Sequence, residues 1–172
     1  MSAQQGGPAA SLDAIERIYR SRLPEFRRVA TALSGDRELG CDAVQEGFAL
    51  AIRSRGKFRG DGSLEAWLWR IVINATRSQR RSAEPAAAEL LAQQAAARSL
   101  NGQTHGEADR VRAAIALLSE RQRLVLFLHY YADLDYAAIG EALGIASGTV
   151  GATLSSARAA MRRLLEEEMV HE

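Results

Sequence analysis

The side chains best equipped for chemistry in this sequence are cations interleaved with aromatic and apolar groups. In "SLEAWLWRIVINATRSQRR", a helical spacing of 100° per residue puts Trp69, Ile73, Thr76, Arg77 and Arg80 on one side, with Arg70 beside them. The opposite side carries Leu64, Trp67, Leu68, Ile71 and Ala75, which read as the inward face. An aromatic ring set among arginines suits a single nucleic-acid strand, because bases stack on the ring and phosphates meet the cations. Lys57, Phe58 and Arg59, in the loop before this helix, extend the same patch. The competing reading is that Trp69 packs against the first helix of its own domain, since small helical domains often bury two faces of one helix.

A second candidate site lies in "YAAIGEALGIASGTVGATLSSARAAMRRLL". Ile139, Gly140, Leu143, Gly144, Ile145 and Val150 have the spacing of a helix-turn-helix, with Gly140 at the crossing and Gly144 free to take the positive φ of the turn. Ser147 opens the last helix, whose inward stripe is Val150, Leu154, Ala157, Met161 and Leu164. Its outward face is Gly148, Ala152, Ser155 and Ala159, flanked by Thr149, Gly151 and Ser156. No basic residue occurs from Ser147 to Ala157. Such a face can approach a groove closely, touch thymine methyls and bond base edges through Ser. Arg158, Arg162 and Arg163, further along, are placed for phosphates. Two packed helices with no DNA role are the alternative.

Little else in the chain could do chemistry. The single Cys41 cannot form an internal disulfide, which suits a reducing cytoplasm, and it reads as a small buried hydrophobe. His105, His129 and His171 lack metal-ligand spacing, so no metal site is expected. No Ser/His/Asp set, acid pair or phosphate loop appears, so neither an enzyme nor a cofactor is expected. The opening "MSAQQGGPAA" reads as a loose tail over residues 1–10 rather than a signal peptide, and no apolar run approaches the ~18 residues of a membrane span.

These sites need helices to position them, and the pattern is helical wherever it is clear, giving an all-α reading. Ser11 caps a first helix bearing Ile15, Ile18, Tyr19 and Leu23, with Pro24 kinking it or starting a second segment to Leu33. Asp36 caps the helix of Cys41, Val44, Phe48, Ala51 and Ile52; "GKFRGDGS" breaks it, and Ser63 caps the next. Residues 82–107, rich in Ala, Gln and Glu, read as a flexible linker between a domain over 11–81 and another over 108–172. In the second domain, Ser119 and Gln122 form a capping-box signal, and Asp135 caps the helix before the turn. The net charge of +1 hides an asymmetry: residues 1–81 hold 14 basic and 9 acidic residues, whereas residues 110–172 hold 7 and 8. Attraction for nucleic acid therefore resides in the first domain.

Together these stretches resemble an extracytoplasmic-function sigma factor of the sigma-70 family, over almost all of 11–168. "CDAVQEGFALAIRSRGKFRGDGSLEAWLWRIVINATRSQRR" resembles its second conserved region, and "LSERQRLVLFLHYYADLDYAAIGEALGIASGTVGATLSSARAAMRRLL" its fourth. The resemblance implies that Asp42, Gln45, Glu46 and Phe48 dock on the coiled coil of the largest subunit of core RNA polymerase. It implies that the loop 56–63 with Trp69, Arg70, Asn74 and Arg77 opens and holds the minus-ten element, and that the last helix reads the minus-thirty-five element. It also implies that the linker threads toward the active site and RNA exit channel, in contact with both large subunits, and that an anti-sigma factor is a further partner. The sequence departs from the family after "GTV", where a basic run is replaced by Gly151, Ala152, Thr153 and Leu154, then Ser155 and Ser156.

The reading that follows is a cytoplasmic transcription initiation factor that binds polymerase and promoter DNA. A sigma mimic that binds an anti-sigma partner instead of DNA would explain the missing arginines but not the face of Trp69, Arg70, Arg77 and Arg80. An ordinary helix-turn-helix repressor would leave "DAVQEGF" without a role.

Overall fold

The computed structural model describes residues 10–98 and 107–169, with side chains over 10–82 and 110–166. Among them there are seven α-helices, one 3-10 turn and no strand. Three helices build the first domain: α1 (Leu12–Ser34), α2 (Arg37–Ser54) and α3 (Leu64–Arg98). The 3-10 turn Arg55–Lys57 opens the α2–α3 loop.

The helices start where their caps place them. Ser11 Oγ accepts the Ala14 N–H at 3.1 Å, and Asp36 Oδ1 accepts that of Leu39 at 2.9 Å. Each satisfies a donor that the first helical turn leaves without an intrahelical partner. Gly35, at φ 76°, ends α1. Of the two expectations for Pro24, a new segment does not occur: one helix runs through it. Its buried neighbours Phe26, Val29 and Ala30 keep that half of the helix on the core, which outweighs the backbone bond proline cannot make.

Two glycines let the first three helices approach closely. A Cβ on Gly40 would lie 2.6 Å from the Thr31 backbone nitrogen, and one on Gly47 2.8 Å from Val72 Cγ2. Around these crossings Phe26, Val44, Phe48, Leu68, Trp69 and Val72 form the core. Ala10 is buried and donates its N–H to Arg55 O at 3.3 Å, so the chain is anchored one residue earlier than the expected tail boundary; residues 1–9 lie outside the described residues. The helical backbone of α3 continues to Arg98, through most of the stretch read as linker, and residues 99–106 lie outside the described residues.

The second domain comprises α4 (Glu107–Leu117), α5 (Glu120–Tyr130), α6 (Tyr136–Leu143) and α7 (Ser147–Met169). Ser119 and Gln122 form the expected capping box of α5, and Asp135 Oδ1 accepts the Ala138 N–H at 2.8 Å. Leu124, Val125, Leu128, Ile139, Val150 and Leu154 make its core. The two domains touch, α6 lying against α3 and α5 against α1.

Candidate nucleic-acid interface

The second face of α3 is core rather than surface. Trp69 is 0 % exposed and stacks on Phe26, with ring centroids 3.8 Å apart and planes 23° from parallel. Ile73 and Thr76 are each 2 % exposed, and Thr76 Oγ1 donates to Val72 O at 2.8 Å. The expectation that Trp69 and Ile73 face DNA is therefore corrected. Helix α3 is packed against α1, α2 and α6, so it buries the broad arc of Leu68, Trp69, Val72, Ile73, Ala75 and Thr76. The polar members of the expected face remain accessible in part: Arg70, Asn74 and Arg80 are exposed and Arg77 half-buried.

The accessible aromatic on α3 is Trp67, two residues before the expected one. Its ring lies 5.5 Å from that of Phe58, tilted by 57°. Both rings are half-buried and line a cavity of about 290 Å³ with Lys57, Arg59, Ser63 and Arg70. The loop thus brings two cations and an aromatic to the N-terminus of α3, where Ser63 Oγ accepts the Ala66 N–H at 3.4 Å. Sequence reasoning placed Trp67 on the inward face. The signal that separates the two tryptophans is the apolar pairing 68/69, 72/73 and 75/76, which marks a helix covered on more than one side.

On α2, Asp42, Gln45 and Glu46 are exposed, and Glu46 pairs with Arg53 at 3.0 Å. Phe48 does not share their surface: it is 5 % exposed, edge-to-face with Tyr19 and Phe26 at 4.9 and 5.0 Å. It forms the floor of an apolar groove of about 520 Å³ between α1 and α2, rimmed by Leu12, Tyr19 and Ile52.

The helix-turn-helix forms as its spacing implies. Gly144 takes φ 69° and donates its N–H to Gly140 O, and a Cβ on Gly140 would meet Ile145 O at 2.7 Å. On α7, Val150, Leu154 and Ala157 are fully buried, whereas Ser147, Gly148, Thr149, Ala152, Ser155, Ser156 and Ala159 are exposed. Gly151 and Thr153 are half-buried; a Cβ on Gly151 would lie 3.4 Å from the Tyr136 ring. Two side chains at this face are held by the domain itself: Ser156 Oγ accepts from Gln122 Nε2 at 3.1 Å, and Arg158 Nε donates to Tyr130 Oη at 2.8 Å. Arg162 is exposed further along.

Among the described residues no cluster of His, Cys, Asp and Glu could hold a metal ion, and no single helix is long and apolar enough to cross a membrane. Cys41 is half-buried and His129 lies between the rings of Tyr130 and Tyr136; His105 and His171 lie outside the described residues.

A helical domain with aromatics and cations around one loop, followed by a helix-turn-helix, has the make-up of a two-part nucleic-acid-binding protein. Residues 18–85 match the sigma-70 region 2 family and residues 108–161 the sigma-70 region 4 family. The chain is 32 % identical over 154 residues to the ECF RNA polymerase sigma factor SigM of Mycobacterium tuberculosis (strain H37Rv), covering 88 % of this chain and 77 % of SigM. The fold is similar to CnrH in complex with the cytosolic domain of CnrY, at a TM-score of 0.68 and 22 % identity, over 92 % of this chain and 91 % of that one. It is also similar to the sigma factor RpoE bound to the anti-sigma factor NepR from Bartonella quintana, at a TM-score of 0.65 and 22 % identity, over 90 % of this chain and 98 % of RpoE. The chain belongs to the extracytoplasmic-function sigma factors of the sigma-70 family, subunits that direct core RNA polymerase to promoters.

Proposed function

We propose that this chain acts in the cytoplasm, without catalysis of its own, through three separate surfaces. Residues 11–81 supply two of them. Asp42, Gln45 and Glu46, on the exposed side of α2, dock on the largest polymerase subunit, with Phe48 supporting them from below. Lys57, Phe58, Arg59, Trp67 and Arg70 hold the melted minus-ten strand, with Asn74, Arg77 and Arg80 continuing the track along α3. The third surface is the open side of α7 in residues 108–172, from Ser147 to Arg162, which lies on the minus-thirty-five duplex. The segment joining the domains runs between the two large polymerase subunits, and an anti-sigma factor competes for the apolar groove beside α2.

One observation carries the minus-ten assignment: Phe58 and Trp67 share a cavity with Lys57, Arg59 and Arg70. An aromatic wall flanked by cations accepts a base by stacking and its phosphate by charge. Transcription by core polymerase on fragmented genomic DNA tests the whole reading. Discrete products with this chain and none without it support the reading; identical products in both reactions oppose it.

A further inference from the structure

A chain of hydrogen bonds runs from the first turn of α5 to the open side of α7. The Ser119 N–H meets Gln122 Oε1 at 3.0 Å. A backbone N–H can only donate, so the amide atom facing it is the carbonyl oxygen. Ser119 Oγ accepts the Gln122 N–H at 3.3 Å, and its own proton goes to the same Oε1 at 3.0 Å. The Gln122 amide is thus fixed from one side. Its Nε2 is turned to α7, where it donates to Ser156 Oγ at 3.1 Å.

Gln122 is half-buried and Ser156 is exposed. A free serine hydroxyl donates or accepts equally well and suits either kind of partner. In Ser156 one lone pair already takes the Gln122 proton, and no acceptor for its own proton is observed among the described residues. The hydroxyls of Ser21, Ser54 and Ser82 behave differently, each donating to the carbonyl four residues earlier in its own helix.

From this network we infer that Gln122 is a positioning residue for promoter recognition, setting Ser156 as a hydrogen-bond donor to an acceptor atom of the minus-thirty-five duplex. The inference rests on the assignment of α7 to that duplex proposed above. Suitable acceptors are a purine N7, guanine O6, thymine O4 or a phosphate oxygen. A cytosine N4 amino group is itself a donor and leaves the Ser156 proton without an acceptor. The nearby Ala152, Ser155 and Ala159 are small and exposed, which allows the close approach that a short hydroxyl needs. A polarised serine therefore supplies a defined donor on a stretch that has no basic residue from Ser147 to Ala157.

The test reverses the polarity of the serine. Q122E keeps an oxygen for the Ser119 N–H, and glutamate is at home at this position of a capping box, so α5 still starts at Ser119. Its other oxygen accepts instead of donating, so the Ser156 proton turns inward and the duplex meets lone pairs. The added negative charge also weakens DNA binding in general, and a cycle of wild type, Q122E, S156A and Q122E/S156A separates the two effects. Holoenzyme carrying each protein is titrated by filter binding with a promoter duplex obtained from the genomic transcription assay. The titration is repeated with every base-pair substitution across its minus-thirty-five element. S156A is expected to weaken binding about three- to tenfold in the wild-type background and less than about twofold in the Q122E background. Equal losses in the two backgrounds overturn the inference. A loss that depends on one base pair identifies a base edge as the acceptor; a loss equal on every duplex identifies a phosphate. A152R in the same assay separates the inference from the reading beneath it. If A152R alters binding and S156A does not, the assignment of α7 stands and the role of Gln122 fails. If neither alters binding, α7 lies away from DNA and both fail.

Discussion

Phe26 and Trp69 stack in the centre of the first domain, joining α1 to α3 with ring centroids 3.8 Å apart. The indole Nε1 has no hydrogen-bond partner in this apolar setting. Trp69→Ala is expected to cost about 3–5 kcal/mol of stability, as loss of a large core aromatic does. Trp69→Phe keeps the stack and removes the unpaired N–H, so its cost should stay below about 1.5 kcal/mol. Thermal unfolding of the two variants checks this; equal, small losses would mean that the ring is not core.

Gly40 carries the α1–α2 crossing. With a Cβ only 2.6 Å from the Thr31 backbone, Gly40→Ala must push two helices apart. A loss of about 1–3 kcal/mol is expected from this overpacking, despite alanine's better helix propensity. Denaturant titration measures it, and stabilisation by the alanine would contradict the crossing.

How much of this was legible in the sequence differs from helix to helix. The caps Ser11, Asp36, Ser119 and Asp135, the turn at Gly144 and the inward stripe of α7 could all be read, because each rests on local hydrogen bonding or on one covered face. Helix α3 misled the reading, because its burial is set by α1, α2 and α6 together, and a single-stripe helical pattern cannot represent cover on several sides. The exchange of Trp67 for Trp69 follows from that. The hydrogen bonds of Arg77 to Glu120 and of Arg70 to the last-turn carbonyls of α6 had no local signal, since they join residues far apart in the chain.

Acid should loosen the pair between Arg77 on α3 and Glu120 on α5, but only at low pH. The hydrogen bond from Arg77 holds the Glu120 carboxyl below its ordinary value of 4.5; burial opposes this, and the charges of Arg77, Arg80 and Arg123 add to it. A carboxyl with a lowered pKa contributes in full above its ordinary value and loses that contribution as pH falls through the lowered one. Scattering dimensions are therefore expected to be constant from about pH 8 to 5 and to grow only further down. Expansion between pH 7 and 5 would contradict the Arg77–Glu120 contact.

On α7, the exposed side has no long donor from Ser147 to Ala157. Ala152 is exposed there with no observed side-chain partner, unlike Ser156, which Gln122 already holds. In holoenzyme, Ala152→Arg is expected to tighten duplex promoter binding by about five- to tenfold at low salt and to steepen its salt dependence by roughly one phosphate contact. Filter binding over a salt series measures both; no change in the slope would place this side of the helix away from DNA.

In the function proposed here, the Phe58–Trp67 cavity, rather than Trp69, holds the melted strand. Permanganate reactivity of promoter thymines tests it most directly, using Trp67→Ala in holoenzyme on a template obtained from the genomic transcription assay. Loss of one stacked base, roughly 1–3 kcal/mol, should cut promoter opening at least about fivefold while the variant assembles normally with core polymerase. Wild-type opening by a folded, polymerase-bound Trp67→Ala variant would contradict the account.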